Sequence, residues 1–436
     1  MSRLLIKGAR LLGREAADLL VEDGVIREVG SIVAEGDTRV LDADGLVALP
    51  GLVDLHVHLR EPGREDAETI ASGSAAAAAG GFTAVLAMAN TSPVTDTAEA
   101  AERVLDLGVA AGLTEIVPVG AVTKGLAGEQ LAEIGLMARS RARVRVFSDD
   151  GTCVHDPRIM RRALEYIRPF DAVISQHAQD PRLADASACC HEGELSGRLG
   201  LPGWPGVAEE SVVARDVMLA RHTGSRVHVA HVSTAGTVEV LRWAKAQGID
   251  VTAEVTPHHL ALTTDLLSGY DPVYKVNPPL RPNEDVEALR AALADGTIDA
   301  VATDHAPHAR HDKEHAFVDA AFGMLGLETA LSVVSDLLVR SGRMEWADVA
   351  RVMSTTPARI ARLGGQGRPL EQGSPANITL VDPDREITVD AATSLSRSRN
   401  NPWHGHTFRG AVHATIFRGR VTHAAESTPR ETEYSK

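Results

Sequence analysis

The sequence predicts an α/β protein: a (β/α)8 barrel of the TIM type, with a small β-sandwich domain formed by the N- and C-terminal segments. Three observations lead there. The middle of the 436-residue chain alternates strand-like and helix-like segments, with eight strand candidates. Both ends carry short alternating runs bounded by turn residues. No G-x-G-x-x-G follows the first central strand, which weakens the alternative of an open doubly wound sheet.

Taken in order, residues 4–9, 18–21 and 25–29 read as strands of hairpins, with Asp23-Gly24 supplying a tight turn. The central strand candidates are 52–59, 83–88, 115–121, 143–147, 172–177, 226–231, 250–255 and 300–303. Helical patterns lie between them, at 67–79, 157–167, 209–223 and 237–247 among others. The alanine run at 75–79 sits inside such a pattern and reads as a close-packed helix. Residues 378–381, 387–389 and 412–418 return to strand patterns, with Gly419 as a turn. The expected domains are therefore a composite β-unit from 1–49 and 366–423, and a barrel from 50–365. The polar tail 424–436 is expected to fray.

Composition narrows the function classes. Net charge is −15 and no basic run is present, which argues against nucleic acid or an anionic membrane surface as partner. No stretch of about 18 apolar residues predicts a membrane span, and the first ten residues lack a signal-peptide core. Three cysteines without a C-x-x-C pair suggest a reducing, cytoplasmic setting.

A parallel barrel places its chemistry at the C-terminal ends of its strands. The first strand ends in His56-Val57-His58, and period-two geometry puts both imidazoles on one face. The fourth ends in Asp149-Asp150, the fifth in His177, the sixth in His231 and the eighth in Asp304. A lone strand-end histidine is usually structural, but five of eight strand ends agree. Four imidazoles with two carboxylates suit a borderline ion such as zinc better than magnesium or calcium. The set also exceeds the three protein ligands of a single catalytic zinc, so a two-metal site with a bridging carboxylate fits. A second H-x-H, His404-Gly405-His406, lies in a loop beyond the barrel block and reads as surface.

The longer motifs resemble those of the amidohydrolase superfamily, and within it the class I dihydroorotases. They are 54–63 (Asp54-Leu55-His56-Val57-His58-Leu59-Arg60-Glu61-Pro62-Gly63), Asn90-Thr91, the Asp149-Asp150-Gly151 turn, 254–260, 277–281 and 304–308. The likeness spans nearly the whole chain. One departure is Ala89, where proline often precedes the asparagine.

The resemblance implies a site. His56, His58 and Asp304 would hold one zinc, His177 and His231 a second that is sometimes only partly filled, and Asp150 would bridge them, with Asp149 as the alternative. Related dihydropyrimidinases bridge with a carboxylated lysine, which this chain lacks there. A metal-activated hydroxide would attack the ring amide, with Asp304 as general base and then acid. Arg60 would clamp the substrate carboxylate. His58, Asn90, Asn277, His308 and the Phe322-Gly323 backbone would complete substrate binding. His258 and His259 read as supporting or packing groups, and His305, His311 and His315 as parts of a charged loop, with roughly 306–317 a mobile or substrate-covering segment. The implied reaction is reversible hydrolysis of (S)-dihydroorotate to N-carbamoyl-L-aspartate, a step of pyrimidine (UMP) biosynthesis. The alternatives are an allantoinase, a hydantoinase or dihydropyrimidinase, or a silent scaffold of aspartate transcarbamoylase. A homo-oligomer, by default a dimer, and a complex with aspartate transcarbamoylase are the expected assemblies.

Overall fold

The computed structural model describes residues 3–425, so nearly all of the expected tail lies outside the described residues. The protein is α/β. Its N-terminal strands are β1 (Arg3–Leu11), β2 (Ala16–Glu22), β3 (Val25–Gly30), β4 (Arg39–Asp42) and β5 (Val47–Pro50). The central strands are β6 (Leu52–Val57), β7 (Phe82–Ala87), β8 (Glu115–Pro118), β9 (Val146–Phe147) and β10 (Val173–Gln176). A two-residue ribbon follows, β11 (Cys190–His191) with β12 (Gly203–Trp204), and then β13 (Arg226–Val229), β14 (Val251–Val255) and β15 (Ala300–Val301). The chain closes with β16 (Ile378–Thr388), β17 (Thr407–Phe417) and β18 (Arg420–Ala424).

All eight central strand candidates contain strands; six end one to three residues earlier than expected, while 143–147 and 250–255 end where expected but begin later. The reason is local. In those six the last residues of the predicted run leave the ladder and begin the loop that follows. Pairing is parallel throughout: β6 with β7, β7 with β8, and β9-β10-β13-β14-β15 in a second run. Isolated parallel bridges, Gly120 with Phe147 and Val57 with His305, join the two runs at both ends. Strand β6 is buried along its whole length, as a parallel strand covered on both faces must be. Successive residues belong to different clusters. Val85, Phe147, Ile174 and Val301 pack toward the helices, whereas Leu86, Val146, Val173 and Ala300 share a separate interior.

The helices match their patterns closely. Pro157–Ile167 agrees at both ends, with Asp156 capping the N-terminus. The helix expected from 67 begins instead at Ile70, because Thr69 caps it: its hydroxyl accepts from Ser72 N at 3.1 Å. Glu68 is thereby freed for other work. It is fully buried and accepts from the backbone N–H of Arg397 and from the hydroxyls of Ser72 and Ser396.

Strands from both ends form one hydrogen-bonded network in the order β18-β17-β16-β5-β1-β2-β3, with β4 on β1. It has its own core, including Ile6, Leu19, Ile26, Ile378, Leu380 and Ile416. Two expected strands, 378–381 and 387–389, turn out to be the two arms of β16; its register shifts between Asp382 and Glu386, around Pro383. Ala424, expected in the frayed tail, ends β18.

Candidate metal centre

Six side chains from the ends of β6, β9, β10, β13 and β15 converge, none more than 5% exposed: His56, His58, Asp150, His177, His231 and Asp304. Asp150 is central. Its Oδ1 lies 3.2 Å from His56 Nε2, 3.4 Å from His177 Nδ1 and 3.4 Å from His231 Nε2, and its Oδ2 lies 3.3 Å from His58 Nε2. Asp304 Oδ1 lies 3.1 Å from His58 Nε2 and 3.6 Å from His56 Nε2. Burial pulls the Asp150 carboxyl upward, but the surrounding histidines outweigh it and hold the group well below the usual range. Asp149 points elsewhere. Its carboxylate accepts from the backbone N–H groups of Val122 and Thr123 at 2.8 and 2.9 Å, and from the Thr123 hydroxyl. It shapes the turn that presents its neighbour.

The outer face of each imidazole decides which nitrogen is free. His56 Nδ1 faces Glu254 Oε1 at 3.0 Å, and His58 Nδ1 faces Asn90 Oδ1 at 2.9 Å. His177 Nε2 faces Gln179 Oε1 at 3.0 Å. In each case one proton belongs on the nitrogen beside the acceptor, so the nitrogen facing Asp150 is the one whose lone pair a bound cation would take. Glu254 continues outward to His228 Nε2 at 3.0 Å, and His228 Nδ1 meets Thr252 Oγ1 at 2.8 Å. Burial opposes ionisation of Glu254, yet hydrogen bonds from His228 and His56 hold it at about 2.

These donors do not satisfy one another. His56 Nε2 is buried with no hydrogen-bond partner. His177 Nδ1 and His231 Nε2 face each other at 2.8 Å, where two lone pairs would repel. Two groups, His56 with His58 and Asp150, and Asp150 with His177 and His231, each gather their ligand atoms within 4.8 Å. Soft imidazole nitrogens around a shared carboxylate fit divalent cations of the zinc kind.

The other expected residues divide. Arg60 reaches the rim, its Nε donating to Pro307 O at 3.0 Å and its Nη2 lying 3.3 Å from His308 Nε2. Burial lowers the guanidinium to about 10, still cationic at neutral pH. His308 Nε2 donates to Phe322 O at 2.7 Å; burial and then Arg60 push this imidazole down to about 2, so it stays neutral. Gly323 requires its missing side chain: φ is +142°, and a Cβ would sit 2.7 Å from Ala306 Cβ and 2.9 Å from His308 Nε2. Asn90 orients His58 besides facing the site. Asn277 Nδ2 donates to Gln179 Oε1 at 3.2 Å, joining the support of His177.

His305 departs from the expected charged loop. It is buried, its Nδ1 accepting from Gly326 N at 3.2 Å and its Nε2 lying 3.4 Å from Glu68. His311 and His315 are exposed, as are His404 and His406. Three site residues hold left-handed backbone without being glycine: Arg60 (φ 60°), His231 (φ 33°) and Asp304 (φ 46°). Such conformations concentrate where surrounding structure over-determines them. Sequence reasoning gave no role to Glu254, although it opens the 254–260 motif, and missed His228 and Gln179. For Glu254 a signal existed, an acid inside the apolar run 251–255; Gln179 offered none.

Residues 45–237 match a family model described as dihydro-orotase-like. Over 418 residues the chain is 61% identical to a dihydroorotase of Leifsonia xyli subsp. xyli (strain CTCB07), covering 96% of this chain and 95% of that protein. It is 58% identical over 422 residues to a dihydroorotase of Streptomyces coelicolor, covering 97% and 98% of the two chains. Among solved structures, an L-hydantoinase (dihydropyrimidinase) from Arthrobacter aurescens superposes with a TM-score of 0.85 at 26% identity, covering 97% and 96% of the two chains. The chain belongs to the dihydroorotase family.

Proposed function

We propose that this chain is a metal-dependent cyclic amide hydrolase that interconverts (S)-dihydroorotate and N-carbamoyl-L-aspartate in pyrimidine biosynthesis. The observation that carries the reading is Asp150 held among four histidines with the Arg60 guanidinium at the rim. His56, His58 and Asp304 would hold one zinc ion, His177 and His231 another, and Asp150 would lie between them. When bound, such ions polarise the amide carbonyl and make water a better nucleophile near neutral pH.

The chain's own residues supply the rest. Asp304 is buried and held ionised against the cost of burial by His56 and His58, so its carboxylate can take a proton from water. The same oxygen then returns that proton to the leaving ring nitrogen. Arg60 supplies a planar fork for the substrate carboxylate. His308, neutral and tied to Phe322, shapes the wall beside it together with Asn90 and Asn277.

The two bridges that join the parallel runs, and the split between an inner and an outer cluster, support a closed (β/α)8 barrel over 50–365. The network shared by both ends supports a sandwich over 1–49 and 366–423. Among the described residues no helix is long and apolar enough to cross a membrane. We place the enzyme in the cytoplasm as a homodimer, able to associate with aspartate transcarbamoylase.

Carboxylate recognition is the testable core. Arg60→Met should lower kcat/KM for dihydroorotate by about 100-fold, the loss expected of a charge-assisted bidentate contact. Activity on dihydrouracil, which lacks the carboxylate, should change little. An equal loss on both substrates would remove Arg60 from this role. Hydantoinase activity is the second reading, favoured by the solved neighbour; the aspartate at position 150 in place of a lysine speaks against it.

A further inference from the structure

Lys313 has no place in the mechanism above, yet its surroundings are unusual. It ends the short helix Arg310–Lys313 in the loop that follows β15. Its ammonium turns inward and donates to three main-chain carbonyls, Ala321 O at 2.8 Å, Gly323 O at 3.1 Å and Lys275 O at 3.3 Å. An ammonium has three protons, and all three are used. Among the described residues, no carboxylate pairs with it.

Those carbonyls come from two segments that carry proposed substrate contacts, Lys275 two residues before Asn277 and the run 321–323 that holds Phe322-Gly323. A peptide group is planar, so fixing a carbonyl fixes the N–H on its other side. Lys313 orients the 321–322 and 323–324 planes. The plane between them is held at both edges: Phe322 O accepts from His308, and Gly323 N donates to Lys275 O at 2.9 Å. Three consecutive peptide planes are thus fixed: Lys313 holds the first through Ala321 O, and shares the third with Asn400 Nδ2, which also donates to Gly323 O at 3.1 Å. Without the ammonium, three carbonyl dipoles would converge unscreened; Lys275 O and Gly323 O would keep one donor each, and Ala321 O would lose the side-chain donor that holds it.

We propose that Lys313 is a positioning residue, which pins the Phe322-Gly323 backbone to Lys275 and so presents it to the substrate ring. The proposal rests on the reading of Phe322-Gly323 as a substrate contact. It acts on binding in ground and transition states alike, so its signature is a change in KM more than in kcat.

The test uses the full-length, metal-loaded enzyme. Lys313→Met keeps the apolar stem and removes the donors. KM for dihydroorotate should rise about tenfold with kcat within about threefold, the pattern of lost uniform binding. Amide hydrogen exchange across 319–324 should speed up. In Lys313→Cys, alkylation with bromoethylamine rebuilds an ammonium at the same reach, and KM should return toward the parent value. The wild-type enzyme treated alike is the control. Because that comparison is made before and after alkylation on one protein, it holds even if the methionine variant folds poorly. Unchanged exchange in Lys313→Met overturns the pinning itself. Faster exchange with unchanged KM overturns the positioning role and locates the fault in the assignment of Phe322-Gly323. A KM that alkylation fails to restore overturns the need for the ammonium.

Discussion

At the scale of single residues, the site was legible where chemistry needs a particular side chain at a strand end. His56, His58, Asp150, His177, His231 and Asp304 could be named from spacing and family likeness, and they meet around one carboxylate. The choice between Asp149 and Asp150 was not legible. Adjacent residues point to opposite sides, and only the turn at 122–123, which consumes Asp149, decides which one faces inward. The outer partners were also hidden, because they come from distant strands. Glu254 fixes the tautomer of His56 across 198 residues of sequence. Glu254→Gln should therefore weaken metal retention by roughly 10- to 100-fold, the effect typical of such outer partners. Metal content after dialysis against graded chelator measures it; retention equal to the parent would deny Glu254 this role.

At the scale of elements, helices and strands were read well and their ends poorly. The physical reason is that ends are set by side-chain contacts that periodicity does not encode. Thr69 stops the helix Ile70–Ala79 from extending back, and this keeps Glu68 available to bind residues 396–397. Removing the cap tests that division of labour. Thr69→Ala should cost about 1 kcal/mol of stability, as N-cap losses do, with kcat unchanged because none of the six converging side chains lies on this helix. A denaturant melt alongside steady-state kinetics checks both halves, and an unaltered midpoint would contradict the capping role. The β16 strand teaches the same lesson. Two strand patterns flanking Pro383 belong to one strand, because a bulge absorbs a proline that an unbroken ladder could not.

At the scale of the whole molecule, the order of the central strands could be anticipated, since βα units in sequence pair side by side. The joining of both chain ends in one network was foreseen in outline only; its register depends on non-local contacts, about 35 positions apart for β4 on β1 and more than 300 for β16 on β5. Burial of neutral histidines also gives the molecule a pH dependence. His191 is held neutral down to about 4 by burial and then by Arg281, against an ordinary value of 6.5. The unfolded chain therefore binds this proton first as pH falls. The stability it contributes is whole above 6.5 and is lost between 6.5 and about 4. The thermal midpoint should fall over that window, and His191→Gln should shallow the slope; an identical slope would contradict it.

The central claim is that this buried cluster holds metal and opens the ring of a carboxylated cyclic amide. The most direct measurement is turnover of dihydroorotate, allantoin and hydantoin by the purified protein, before and after chelation and after adding zinc back. Dihydroorotate should be consumed far faster than the other two, with activity lost to the chelator and restored by zinc. Turnover of allantoin or hydantoin in preference to dihydroorotate, or full activity after the metal is stripped, would contradict the claim.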